Sequence, residues 1–141
     1  MVQRLRTIPG VGLLTATAFV GSVGNIHAFR RGRQFASWLG LTPSEYSSGS
    51  RRQLGGITKR GDRYSRCLLT HGARAVLVAA RRAAPDRPST RLRQWAVAVH
   101  QRRGHNKATI AVANKLGRIV WAVWTRDHDF RAPPALMQTA A

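Results

Sequence analysis

Two stretches of the chain repeat apolar residues at helical spacing, and they restrict the fold more than any other feature of the sequence. The first stretch runs from Asp62 to Ala84, and Asp62 is a residue type that caps helix N-termini. The second runs from Lys107 to about Arg126, with Asn106 as its candidate cap. The apolar stripes are Leu69, Ala73, Val76 and Ala80 in the first stretch, and Ile110, Ala113, Val120 and Trp124 in the second. These stripes predict a helical core.

Three other segments also have helical character. Residues 8–24 open with a Pro-Gly turn and continue as an apolar stretch that stops at Gly24. Residues 29–40 predict a short helix, and residues 90–103 predict another with Ser89 as its candidate cap. The expected fold is mainly α, with about five helices in one domain over residues 1–131. The polar tail from Asp127 is expected to fray, and residues 132–141 are expected to be disordered.

Residues 42–61 have no helical period and are punctuated by Pro43, Gly49, Gly55, Gly56 and Gly61. This pattern predicts a long, basic, irregular loop that can include a short hairpin. Connections of this length are usually functional or disordered.

Charge is the strongest indication of a partner. The chain of 141 residues has 24 Lys and Arg against 5 Asp and Glu, a formal net charge of +19. A polyanion would relieve the self-repulsion, and cations spread from Arg4 to Arg131 favour nucleic acid over a membrane surface. No apolar run is long enough to span a membrane, and no secretory signal opens the chain, so a cytoplasmic, nucleoid-associated protein is expected. One cysteine, Cys67, excludes an internal disulfide.

The sequence Ile-Pro-Gly-Val-Gly at 8–12 resembles the turn of a helix-hairpin-helix. Gly10 and Gly12 would let the backbone approach a phosphate at a helix N-terminus, which contacts DNA without reading bases. An ordinary Gly-Pro turn is the alternative interpretation.

The run Ser-Ser-Gly-Ser-Arg-Arg at 47–52 is a candidate catalytic segment. A serine nucleophile needs help in losing its proton, and arginines stabilise the charge that develops in phosphoryl transfer. Arg51, Arg52, Lys59 and Arg60 follow the serines in the same loop. The alternative is a flexible basic loop that only touches phosphates.

Other chemical groups give weaker patterns. His71 and Arg74 have the spacing of a tyrosine recombinase pair, but the two tyrosines lie upstream, so a basic helix face or a lining of the serine site is expected. The five acids are too scattered for a two-metal site, so no metal site is expected. The four tryptophans, Trp38, Trp95, Trp121 and Trp124, have spacings typical of core packing.

Three blocks of sequence resemble the C-terminal transposase domain of the IS110 family of insertion-sequence transposases. They are IPGVGLLTATAF, FASWLGLTPSEYSSGSRRQLGGITKRGDRYSRCLL and RRGHNKATIAVANKLGRIVWAVWTRD, and the resemblance extends from about Leu5 to Arg131. It implies a helical module in which the serine before glycine, here Ser48, attacks a DNA phosphodiester and holds the strand covalently. Ser47 is the alternative nucleophile.

The resemblance also implies partners and a missing part. Family members are guided by a structured bridge RNA and carry an N-terminal RuvC-like domain whose four acids bind a divalent metal. That domain is expected to be absent here, so strand exchange is expected to require the missing domain, and no cofactor is expected in this chain. DNA, a guide RNA and a second copy of the chain on DNA are the expected partners.

Two further hypotheses remain beside the recombinase. The chain could be a non-catalytic nucleic-acid-binding remnant of a transposase, or an assembly module that self-associates through segments 62–84 and 107–126. The candidate DNA-binding residues are Gly10, Gly12, Arg51, Arg52, Lys59, Arg60, Arg63 and Arg66.

Overall fold

The computed structural model describes residues 1–84 and 89–135. In that part of the chain six α-helices and one two-stranded antiparallel hairpin follow one another, so the expected mainly α fold is confirmed. The helices are α1 (Val2–Leu5), α2 (Leu13–Val23), α3 (Gly32–Trp38), α4 (Arg63–Arg82), α5 (Arg91–Arg103) and α6 (His105–Arg126), with a single 3-10 turn at Ile26–Ala28. The strands are β1 (Pro43–Glu45) and β2 (Leu54–Ile57).

Helices α4 and α6 form the centre of the bundle, and the other helices pack around them. All four residues of the apolar stripe predicted on α4 are buried in the core. On α6, Ala113 and Val120 are buried, whereas Ile110 and Trp124 are half-buried. The predicted stripe of α4 is therefore covered within the single chain, whereas two residues of the α6 stripe keep part of their surface exposed.

Aromatic residues complete the core beside α3. The rings of Phe19 and Phe35 meet edge to face with centroids 5.8 Å apart. All four tryptophans are half-buried against the core, as the sequence predicts. Trp121 also donates its indole N–H to the Phe29 carbonyl at 2.8 Å, which satisfies its polar group.

Capping residues explain where the helices begin. Two of the caps predicted from the sequence are wrong. Asp62 accepts the Tyr64 amide at 3.1 Å, as expected. Helix α5 is capped by Thr90, whose hydroxyl accepts the Arg93 amide, and not by Ser89. Helix α6 begins at His105 directly after Gly104, so Asn106 lies inside the helix. Gly104 has φ +80°, which turns the chain sharply between α5 and α6.

Two glycines allow the turn before α2 to pack closely against α4. Gly10 has φ +80°, and a Cβ placed on it would lie 2.7 Å from the Gly72 carbonyl oxygen. A Cβ on Gly72 would overlap the Gly10 carbonyl oxygen. The turn before α2 is therefore pressed directly onto the backbone of α4.

The segment after α6 contacts the N-terminal residues and the start of α5. Arg4 forms ion pairs with Asp127 and with Asp129, and the Phe130 amide donates to the Thr7 hydroxyl at 2.9 Å. The Ala135 amide donates to the Ser89 carbonyl. The remainder of the predicted disordered tail, 136–141, lies outside the described residues.

One histidine links protonation to stability. Burial lowers the pKa of His100 below 6.5, and Arg81 and His105 lower it further. The folded protein thus binds this proton more weakly than the unfolded chain, and stability should fall as the pH drops below about 6.5. We expect His100→Gln to flatten this dependence of the urea midpoint on pH. An unchanged slope in His100→Gln would contradict this linkage.

Candidate functional site

The serine-rich segment forms the tip of the β1–β2 hairpin. The backbone groups of Ser48 and Arg51 exchange two hydrogen bonds, of 3.2 and 3.1 Å, which close a two-residue turn at Gly49 and Ser50. Gly49 has φ +55°, as a II′ turn requires at its first central position. The loop predicted over 42–61 is thus an ordered hairpin whose outermost residues are the candidate catalytic ones.

The hairpin has one register shift, and above it the side chains alternate between two faces. Pro43 pairs with Ile57, but Glu45 pairs with Leu54, so one extra residue of β2 is accommodated at Gly55 and Gly56. Beyond this bulge the pairing is regular up to the turn, and side chains alternate between faces. One face carries Glu45, Ser47, Arg52 and Leu54; the opposite face carries Tyr46, Ser48, Arg51 and Gln53.

The two candidate serines therefore lie on opposite faces. Ser48 shares its face with Arg51, directly across the turn, at the Cα separation of about 5.5 Å that is typical of a hydrogen-bonded pair. Arg52 lies with Ser47 and pairs with Glu45 through its Nε at 3.4 Å. Of the two predicted arginine clamps at the tip, Arg51 is the one placed beside Ser48.

Ser47 is held by two hydrogen bonds. Its hydroxyl donates to Glu45 Oε1 at 2.7 Å and accepts the Gln53 amide at 3.1 Å. A regular ladder would direct that amide to the Tyr46 carbonyl, so the Ser47 hydroxyl takes the place of a backbone group. Sequence reasoning missed this cluster, although the alternation of Glu45 and Ser47 on one strand was a readable signal.

Ser48 is free by comparison. Its side chain is exposed, and within residues 1–84 and 89–135 its hydroxyl has no hydrogen-bond partner. The described residues therefore place Arg51 across the turn from Ser48 and give the Ser48 hydroxyl no hydrogen-bonded base.

The other predicted basic residues lie at the base of the hairpin. The Lys59 amide donates to the Gly40 carbonyl. Arg51 and Lys59 are eight residues apart along an extended strand, which is a distance of roughly 20 Å or more. Gly61 sits so close to α3 that a Cβ on it would overlap the Trp38 carbonyl. The structure does not bring Lys59 and Arg60 to Ser48.

Arg63 and Arg66, at the start of α4, have different environments. Arg63 is exposed, so its guanidinium can contact a polyanion. Arg66 is half-buried and donates from Nη1 to the Leu39 carbonyl at 3.1 Å. This bond satisfies the C-terminal end of α3, which gives Arg66 a structural task that the sequence did not reveal.

Gly10 and Gly12 also separate in role. Gly10 is packed against α4, whereas Gly12 is exposed at the N-cap of α2 with open space around it. The first amides of α2 have no acceptor within the helix, so Gly12 is the position where a phosphate could approach.

His71 and Arg74 lie on an exposed face of α4. They line a shallow depression together with Ala75, Val78, Ala79 and Arg82, and the hairpin contributes nothing to it. Of the two expectations, the basic helix face is the one that the structure favours.

The acids do not assemble into a metal site in the part of the chain that the structure describes. It contains no group of three or more His, Cys, Asp or Glu side chains that could hold an ion. Among these residues, therefore, no ligand set fits the divalent metal that the family resemblance implies. Nor does any helix described here have the length and hydropathy to cross a bilayer.

Fold and site together define a strongly basic helical domain that presents a serine and an arginine at the tip of an exposed hairpin. A family model described as the Transposase IS116/IS110/IS902 family matches residues 2–87. The chain is also 45% identical over 130 residues to a Pseudomonas aeruginosa protein named "Probable family 20 transposase", covering 92% of this chain and 37% of that protein.

A Coxiella burnetii protein, "Transposase for insertion sequence element IS1111A", is 46% identical over 129 residues, covering 92% of this chain and 34% of the relative. A Yersinia enterocolitica transposase for IS1328 is 38% identical over 128 residues, which are 91% of this chain and 37% of that protein. The chain belongs to the IS116/IS110/IS902 family of transposases, which confirms the resemblance at the level of the family. It spans about a third of the length of these relatives.

Proposed function

We propose that this chain is a DNA transposase domain in which Ser48 forms a covalent bond to a DNA strand. The observation that carries the proposal is the placement of an exposed, unengaged serine hydroxyl directly across a tight turn from Arg51. Membership of a transposase family makes DNA the polyanion that the charge of +19 requires.

The chemistry exchanges one phosphodiester for another. Ser48 Oγ attacks the phosphorus and loses its proton, while the bond from phosphorus to one deoxyribose oxygen breaks and that oxygen gains a proton. Arg51 stabilises the negative charge that builds up on the non-bridging oxygens. Because the bonds formed and broken are of the same kind, no external energy source is needed, and a second strand end can reverse the attachment.

Ser47 is less suited to this task than Ser48. Its hydroxyl is already bound to Glu45 and to the Gln53 amide, so it must break two hydrogen bonds to reach a phosphate. It also faces away from Arg51. We therefore retain Ser48 as the nucleophile and assign Ser47 to the support of the hairpin.

DNA is expected to lie along several basic parts of the surface, which include Arg51 at the tip, Arg63 on α4 and the exposed start of α2 at Gly12. Guide RNA and a second copy of the chain remain predicted partners from the family resemblance. The chain covers about a third of these relatives, and the RuvC-like domain that the family resemblance implies is the proposed source of a divalent metal.

The test is a covalent adduct. The chain is grafted in place of the matching segment of the Coxiella burnetii relative and incubated with end-labelled DNA, with the unaltered relative as the positive control. A labelled protein band that survives denaturation is expected. If the relative forms this band and the graft does not, the chain is a non-catalytic binding module.

DNA binding by the chain itself gives a separate prediction. Arg51→Gln should weaken binding and reduce the slope of log K against log salt by about 1, because one phosphate contact is lost. Arg4→Gln is the matched control, since the Arg4 guanidinium is already paired with two carboxylates. Fluorescence anisotropy over a range of salt concentrations measures both slopes. Equal slopes for the parent and Arg51→Gln would remove Arg51 from the interface.

A further inference from the structure

We infer that Glu45 is the positioning residue of the hairpin tip, a role that rests on the proposed use of Ser48. Glu45 is the one acid within residues 42–61. Its Oε1 accepts the Ser47 hydroxyl at 2.7 Å and faces Arg52 Nε at 3.4 Å. A single carboxylate oxygen thus contacts both strands immediately below the turn.

The cluster ties the two strands together where the backbone cannot do so alone. Ser47 and Arg52 form a pair between two hydrogen-bonded pairs, and such positions have no backbone bonds of their own. Side chains fill this gap, because Glu45 binds both members and Ser47 also takes the Gln53 amide. The next pair toward the tip is Ser48 and Arg51.

Two features of the hairpin make such a brace necessary. The bulge at Gly55 and Gly56 weakens the ladder toward the base, and glycines lose more freedom on ordering than any other residue. The tip itself is exposed, and none of its residues belongs to the hydrophobic core of the described chain. Without the brace, the tip would be held only by the two backbone hydrogen bonds of the Ser48–Arg51 pair and by the bond from the Tyr46 amide to the Gln53 carbonyl.

Glu45 acts from the face opposite to the reacting one. It contacts neither Ser48 nor the phosphate that Ser48 would attack, so it is not a catalytic residue. The brace also accounts for Arg52, whose charge is held by Glu45 and not directed at the nucleophile. Glu45 stabilises the tip mainly through its hydrogen bond with Ser47. This bond is shorter than the ion pair of Glu45 with Arg52, and exposed ion pairs contribute little to stability.

The first readout is motion of the tip in the chain as it is. Backbone amide order parameters of Ser48 and Gly49, measured by NMR relaxation, should fall from about 0.85 toward 0.6 in Glu45→Ala and Ser47→Ala. Glu45→Gln keeps an acceptor for the Ser47 hydroxyl and should restore most of the order. Ser44→Ala is the matched control, because it removes a hydrogen bond of 3.0 Å to the Gly56 carbonyl at the base of the same hairpin.

The second readout is the rate of adduct formation by the grafted protein. Glu45→Ala and Ser47→Ala should each slow it by between about 10-fold and 100-fold with DNA affinity unchanged, since misplacement of a reacting atom affects the rate more than binding. The double variant should be no slower than either single one, because both remove the same brace. Glu45→Gln should recover to within about threefold of the parent.

The outcomes separate the two proposals. If the order parameters stay unchanged in Glu45→Ala, or if Ser44→Ala lowers them equally, Glu45 does not position the tip. A loss of DNA affinity as large as the loss in the rate of adduct formation would also overturn the inference. If the parent graft forms no adduct while the unaltered relative does, the proposed nucleophile fails, and the order parameters alone then decide whether Glu45 braces the hairpin.

Discussion

Replacing Ser48 with alanine is expected to abolish the covalent attachment of DNA, by about 1,000-fold or more, and to leave DNA affinity within about twofold of the parent. The hydroxyl is exposed and has no partner in the described chain, so its removal disturbs no internal bond. A loss of attachment in this variant is therefore caused by removal of the oxygen atom and not by a change in folding. The measurement is a time course of adduct formation by the grafted protein, beside anisotropy for binding.

Ser50→Ala is the matched control for this substitution. Ser50 is the other exposed serine of the same turn, and it is separated from Ser48 only by Gly49. We expect the Ser50→Ala variant to attach DNA at the parental rate. Should Ser48→Ala attach DNA as fast as the parent does, the nucleophile lies elsewhere.

The second large effect concerns stability. Gly72→Ala is expected to lower the free energy of unfolding by about 3 kcal/mol, because the new Cβ would meet the Gly10 carbonyl oxygen, and overpacking of a rigid contact has a cost of this order. In an exposed helix the same change stabilises by about 1 kcal/mol, so the sign here is reversed by the contact alone. A loss of this size is a large fraction of the stability of a typical domain.

Gly21→Ala provides the control in the same protein. Gly21 lies inside α2 with nothing within 4 Å of a built Cβ, so this change should stabilise the protein by about 0.5–1 kcal/mol. Urea denaturation followed by circular dichroism compares the two variants. A Gly72→Ala variant as stable as Gly21→Ala would mean that the turn at Gly10 is not pressed onto α4.

The helical part of the fold could be predicted because it follows from periodicity. The apolar residues of α4 recur at helical spacing, so they lie on one side of the helix whatever its neighbours are. Asp62 precedes the helix in the position of a cap. The beginnings of α5 and α6 could not be fixed in the same way. Ser89 and Thr90 are adjacent residues of the same capping type, and only the approach of the chain decides which one is used.

The hairpin was harder to predict because it depends on register. Five residues of 42–61 are glycine or proline, and each is a possible turn. Ser47 and Ser48 face opposite sides because they are adjacent strand residues, but only the placement of the turn at Gly49 puts Arg51, and not Arg52, across from Ser48. Charge and proximity in sequence therefore grouped Lys59 and Arg60 with the serine, although the extended strand carries them to the other end of the hairpin.

The most direct test of the serine chemistry is to locate the bond. The adduct formed by the grafted protein is digested with nuclease and protease, and the peptide that retains a nucleotide is sequenced by mass spectrometry. We expect the nucleotide on Ser48. A nucleotide on Ser47 or on Tyr46, or its absence from the hairpin peptide, would contradict the assignment.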